Sequence, residues 1–451
     1  MKNNPWQSRF DHDLSDREID KRVVVMAQPI SGLDGDPSEI AAIRLREAMS
    51  AIYIPTCQQR EVLRKLYLVA RGHAMVEYTD VECFMRRLYQ GPRDSDAKAI
   101  CMTGLAGVGK TQLFHALARI FGEPESIDIA GLKGLPLKAM WSLTLRSGLG
   151  VSDLLQPFVE DPFPCGTEKQ ESLAARRPRT SSTASLRVAR ARAYRDGVCL
   201  LGLDELQFVT QSLSANSRAT SLLLLMNSIG PKLIFSANLS MMHRLKTRSQ
   251  EERQRLLADL IVLLPDRADS PELLVYLGEL FRVSPDTFPS TAKEVVGQIY
   301  SYTFGVRRTI VKLLTLAYLV ARKAGRKKIT SADFETAYRS LEFSADREDV
   351  LILISQDIQN KAIRKDLWCP FEIPATSNVS PLTSAIDNFN NEVEQKMLAS
   401  SLTPSEKAAA GASDAPKREG RNSTVVSMRA GRATKEALLK GAKAFEKQKF
   451  E

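Results

Sequence analysis

No stretch of the 451-residue chain reaches the roughly 20 uninterrupted apolar residues that a membrane-spanning helix needs. The opening MKNNPWQSRFDHDLSDREIDKR also lacks the apolar centre of a secretion signal. The expectation is a soluble, cytoplasmic protein with no membrane partner. Cysteine and histidine are scarce. Six cysteines (57, 83, 101, 165, 199 and 369) lie far apart with no paired spacing, and only four histidines are available to complete a metal site. That argues against a disulfide framework and against a zinc scaffold, so the cysteines read as reduced and structural.

Positive charge is present in excess. Sixty-three Lys and Arg stand against 53 Asp and Glu, a net charge of +10, which suits a polyanionic partner. The excess is local: Ser172 to Arg195 holds seven arginines and no acid, and residues 404–451 hold eleven Lys and Arg against six acids. The length predicts two or three packed units plus appendages, and 43% hydrophobic content is enough for real cores.

The stretch around which the chain is organised is Ala99 to Phe121, AICMTGLAGVGKTQLFHALARIF. A short apolar run reads as a buried strand, Gly104-Leu105-Ala106-Gly107-Val108-Gly109-Lys110-Thr111 as a phosphate-binding loop, and the remainder as an amphipathic helix. The glycines let successive N–H groups face a polyphosphate at a helix N-terminus, whose dipole also favours anions. Lys110 is placed to reach the β- and γ-phosphates of ATP and Thr111 to ligate Mg²⁺.

Downstream, the apolar run Val198 to Leu203 ends in Asp204-Glu205, the Walker B pattern. Asp204 is the second metal candidate, and Glu205 the group that orients or polarises the attacking water. The strand KLIFSANLS ends in Asn238, a sensor 1 candidate at the carboxyl end of the sheet. Gly305-Val306-Arg307-Arg308 opens a long helix from which a guanidinium could reach the nucleotide, Arg308 being the preferred residue and Arg307 the alternate.

This organisation predicts residues 1–50 as an extended, partly ordered partner-binding arm. Residues 51–270 form an α/β core with a helical lead-in broken near Gly72 and a Pro/Ser/Thr/Arg-rich insertion at 161–185. Residues 271–345 are a helical lid, in which STAKEVVGQIYSY is one helix and Thr330 to Asp333 begins another in the manner of a capping box. Residues 346–374 are a C-terminal extension, and 375–451 a disordered, flexible basic tail whose Ala437, Leu438, Leu439, Ala442 and Phe445 could form one docking face.

Walker A at 104–111, Walker B at 199–205, Asn238 and Gly305-x-x-Arg308, in that order before a helical lid, resemble the AAA+ ATPases over residues 95–345. Within that class, TCQQREVLRKLYLVARGH, KKITSADFETAYRSLEF and NKAIRKDLWCPF resemble the TnsC/TniB transposition regulators. The resemblance implies an ATPase that binds double-stranded DNA as a homo-oligomeric ring or filament. It further implies that the protein links a target-selector protein to transposase subunits and is released on hydrolysis. An arginine finger contributed in trans would be Arg255 or Arg253. The alternative readings are a replication initiator or helicase loader, which share the same core, and, from a different class, a non-hydrolysing nucleotide-switch signalling protein.

Overall fold

The computed structural model describes residues 4–90, 98–145, 151–159, 182–206, 215–289 and 291–372. The expected insertion up to residue 181 and the expected tail with its docking helix lie outside the described residues.

The N-terminal segment is packed, not an extended arm. Helices α1 (Pro5–Ser8) and α2 (Asp16–Val23), with the turn between them, bury Trp6, Phe10, Leu14, Ile19 and Val23 in the main core. Arg9 donates through Nη2 to Gly197 O and, at 3.1 Å, to Cys199 Sγ, so the segment is tied to the entrance of the Walker B strand. Helix α3 (Ser38–Ala51) buries Ala41, Ala42, Leu45 and Met49 in a second core shared with the lid. The anchors are few among many polar and charged residues and are divided between two short helices and the turn joining them, which is why the stretch reads as polar in sequence.

The lead-in is α4 (Cys57–Glu77), held at its start by a capping box between Thr56 and Gln59, and α5 (Val81–Gln90). α4 runs unbroken through Gly72, where an added side chain would meet open space. A glycine inside a helix costs only about 1 kcal/mol, and tertiary packing overrides that here.

Strand β1 (Ile100–Gly104) is buried at every position and feeds α6 (Lys110–Phe121), which ends at Gly122 as expected. An antiparallel hairpin of β2 (Glu125–Ile129) and β3 (Leu132–Leu137) follows, an unanticipated feature. Next come β4 (Met140–Thr144), α7 (Val151–Val159), α8 (Ser182–Arg195) and β5 (Leu200–Asp204). They are followed by α9 (Ala215–Asn227), β6 (Lys232–Ala237), α10 (Leu239–Lys246), α11 (Gln250–Leu256) and β7 (Asp259–Leu263).

Five strands form one parallel sheet in the order β4-β5-β6-β1-β7. Continuous apolar runs at β1, β5 and β6 are what a sheet covered on both faces requires. At the β7 edge, the Gln58 side chain of α4 donates to Val262 O at 2.7 Å and accepts from Leu264 N at 3.1 Å.

The lid contains α12 (Pro271–Arg282), α13 (Val296–Thr303), α14 (Arg307–Lys323) and α15 (Ser331–Arg339), with α16 (Ser344–Gln359) after it. The single helix expected over 290–302 is a 3₁₀ turn at Ala292–Glu294 followed by α13, whereas the capping box at Thr330 and Asp333 is present. Beyond α16, residues 361–372 lie against α10: His243 Nε2 is 3.0 Å from Trp368 O, and Lys246 Nζ donates to Pro370 O at 2.5 Å. The fold class is the expected α/β one, a core built on a parallel five-stranded sheet followed by a helical lid.

Candidate nucleotide site

Strands β1, β5 and β6 are adjacent and parallel, so their carboxyl ends converge on one place. A cavity of about 740 Å³ opens there, between the loop after β1, the ends of β5 and β6, and the lid. Ala106, Gly107, Gly109, Lys110, Thr111, Glu205, Asn238 and Arg308 all line it.

The loop is shaped to receive an anion. Gly107 has φ +87°, and a Cβ added to it would stand 2.7 Å from Arg308 Cβ, so only glycine lets the loop pass beneath the start of α14. The Arg308 N–H donates to Gly107 O at 3.3 Å. Lys110 Nζ donates to Gly104 O at 3.0 Å and Leu105 O at 2.8 Å. Its ammonium is thus held on the carbonyl side of the loop. Burial lowers its pKa to about 8, against the opposing pull of Glu205 and Asp204. Val108 is buried, and its carbonyl is approached by Gln59 Nε2 at 3.5 Å, so the lead-in helix also braces the loop.

Thr111 Oγ1 donates to Asp204 Oδ2 at 2.6 Å. A hydroxyl and a carboxylate side by side, both hard oxygen donors at the foot of a phosphate loop, fit Mg²⁺. Asp204 Oδ1 accepts from Ser236 Oγ and, at 3.0 Å, from Glu205 N. Glu205 sits in the left-handed region with φ +62°. Burial raises its pKa, the neighbouring Asp204 adds to the rise, and Lys110 and Arg308 oppose it. Asn238 is the N-cap of α10: its Oδ1 accepts from Met241 N at 3.0 Å, which fixes the amide orientation.

The two arginines at the lid have different environments. Arg307 is buried, pairs through Nε and Nη2 with Asp266 at 2.7 and 3.1 Å, donates to Ile54 O at 2.6 Å and stacks over Tyr276 at 4.6 Å. Gly305 makes this possible, since a Cβ there would lie 2.0 Å from Asp266 O. Arg307 therefore fastens the lid to the core, and Arg308 is the one whose backbone meets the loop. Arg255 is on α11, half exposed, paired with Glu251 at 3.3 Å, and is not part of the cavity wall. Arg253 is exposed on the same helix.

Sequence reasoning missed Ser236 and Asp266. A serine inside the apolar run KLIFSA was a readable signal for the first. The second had none, because its meaning depends on Arg307, 41 residues later.

No protein-family model matches the sequence, and no curated protein matches it. Among solved structures the chain is similar to the Aeropyrum pernix ORC1 protein in complex with DNA, with 17% identity, 69% of this chain and 70% of that chain covered, and a TM-score of 0.39. It is also similar to Cdc6p from Pyrobaculum aerophilum, with 14% identity, 69% and 78% covered, and a TM-score of 0.41. A third is the RuvB Holliday junction branch migration motor of Thermotoga maritima, with 12% identity, 65% and 76% covered, and a TM-score of 0.32.

Proposed function

We propose that this chain is a Mg²⁺-dependent ATPase that works as a nucleotide-switched homo-oligomer on double-stranded DNA. The observation that carries the reading is the convergence of Lys110, the Thr111–Asp204 pair and Glu205 on one cavity roofed by Arg308. Lys110 and the N–H groups of the loop bind the polyphosphate. Thr111 and Asp204 would hold the metal, which would supply neutralisation of phosphate charge. Glu205 orients the attacking water and takes up its proton, Asn238 orients the same water through its amide N–H, and Arg308 draws the lid toward the γ-phosphate. Arg255 or Arg253 is the proposed finger toward a neighbouring subunit.

The DNA partner is supported by the net charge of +10 and by α8, which carries no acid and exposes Arg187. Phosphate release measured with and without duplex DNA is the first test, and a chain that neither binds ATP nor hydrolyses it would end the proposal. The finer assignment to transposition, with transposase and target-selector partners, rests on the resemblance of the lead-in, lid and 360–371 segments to TnsC/TniB regulators. A replication initiator or helicase loader built on the same core is its alternative. Pull-down of the full chain with a transposase or with a replicative helicase separates the two. Loss of ATP-dependent DNA binding in both settings removes both.

A further inference from the structure

Ser236 interrupts an otherwise apolar strand. Leu233, Ile234, Phe235 and Ala237 of β6 are core residues, and Ser236 among them is only 1% exposed. Its hydroxyl donates to Asp204 Oδ1, and its oxygen accepts from Glu205 N at 3.2 Å. One hydroxyl has one proton and two lone pairs, so it can serve both neighbours at once. The Glu205 N–H is shared, reaching Asp204 Oδ1 at 3.0 Å as well. The other oxygen of that carboxylate accepts from Thr111 Oγ1 at 2.6 Å.

These contacts act on two things. They fix the rotation of the Asp204 carboxylate, sending Oδ1 to the strand and Oδ2 to the loop threonine. They also hold Glu205 in a left-handed backbone conformation, which costs a side-chain-bearing residue on the order of 1–2 kcal/mol and so needs support from its surroundings. The left-handed step ends the strand and turns the Glu205 side chain into the cavity wall.

We propose that Ser236 is a positioning residue for phosphoryl transfer: through one hydroxyl it sets both the metal-side carboxylate of Asp204 and the backbone turn that presents Glu205. This rests on the ATPase reading above. It predicts a defect that separates metal handling and turnover from nucleotide affinity. Ser236 touches neither the loop nor Lys110, and its loss should leave them alone.

The test uses full-length Ser236→Ala, Ser236→Thr and Ser236→Cys. Four quantities are read: thermal midpoint, affinity for a fluorescent ATP analogue in EDTA, the Mg²⁺ concentration that half-saturates the metal-dependent change in that fluorescence, and kcat with KM. For Ser236→Ala, metal-free affinity and KM should stay within about twofold of wild type. The Mg²⁺ requirement should rise and kcat fall by roughly tenfold or more, the usual size of a supporting-shell loss. Ser236→Thr, which keeps the hydroxyl, should recover most of both, and Ser236→Cys, a weaker donor, should fall between. Wild-type Mg²⁺ requirement and kcat in Ser236→Ala would overturn the proposal. So would an equal loss of metal-free affinity, or a threonine variant as impaired as alanine at an unchanged thermal midpoint. If Ser236→Ala does not fold, Ser236→Cys takes its place under the same criteria. If the wild-type chain binds Mg²⁺-nucleotide but never hydrolyses it, the ATPase reading fails by itself, and the Mg²⁺ requirement still decides the role of Ser236.

Discussion

The two ends of the cavity are built in different ways. The phosphate end is local: Ala106, Gly107, Gly109, Lys110, Thr111 and Gln112 are near neighbours in sequence, completed by the last residues of two adjacent strands. The far end draws Arg46 and Ser50 from α3, Tyr276 from α12, Lys312 from α14 and Asp346 from α16, segments spread over 300 residues of chain. The first is held largely by short-range contacts, among them Lys110 Nζ to Gly104 O and Leu105 O and the Leu113 N–H to Gly109 O. The second exists only when the N-terminal helix and the lid are packed together around Leu45, Met49, Leu313 and Leu314. In the proposed ATPase, grip on phosphate and shape around the rest of the nucleotide are therefore separate properties, open to separate damage.

Lys110→Ala should break the comparison most completely. It removes the only cation held inside the loop and should abolish measurable binding of a fluorescent ATP analogue, a loss of about 100-fold or more. Glu205→Gln should keep that binding and stall phosphate release. Equal turnover in Glu205→Gln and wild type would refute the assigned role of Glu205.

The lid arginines sharpen the contrast. Arg307→Ala leaves Asp266 charged and buried without its partner and should cost about 3–5 kcal/mol of stability in denaturant unfolding. Arg308→Ala should leave the unfolding midpoint nearly unchanged and reduce kcat by about tenfold or more. Opposite assignments, with Arg308→Ala unfolding and Arg307→Ala inactive but stable, would show that the wrong guanidinium had been placed at the nucleotide.

Acidity distinguishes the phosphate end as well. The folded pKa of Lys110, about 8, lies below the ordinary lysine value of 10.5, so the folded chain gives up that proton first. Between these values the unfolded chain binds more protons, and stability of the nucleotide-free chain rises with pH across this window. ATP affinity should be level below pH 8 and decline by up to about tenfold per pH unit above it. Lys110→Met should remove the rise in stability and raise the thermal midpoint of the nucleotide-free chain at neutral pH. A midpoint lowered by that substitution would contradict the burial argument.

The smallest effect belongs to the far end. Lys312 and Asp346 form a part-exposed ion pair, and such pairs contribute about 0–1 kcal/mol. Lys312→Met should change nucleotide affinity by no more than about fivefold, with loop-dependent phosphate binding unaffected. A 100-fold loss would mean that grip is not confined to the loop.

Legibility in sequence follows the same division. Residues 104–111, the strand run ending at Asp204-Glu205, α14 and the Thr330 cap are set by short-range chemistry, so spacing alone reveals them. β7 escaped because DLIVL follows a charged helix without a turn signal between them. The N-terminal anchors escaped because Trp6, Phe10 and Leu14, although four residues apart, are not carried by one helix and acquire meaning only against the elements they pack on. Ser236 and Asp266 are polar residues whose partners lie 32 and 41 positions away.

The Gln58 side chain at the β7 edge has a consequence for assembly. Its amide presents to the outermost strand one donor and one acceptor, as a neighbouring backbone would, and so acts as a false strand one residue long. An open edge is an adhesive surface for any passing extended chain. Where Gln58 occupies Val262 O and Leu264 N, those two backbone groups are closed to pairing with an added strand.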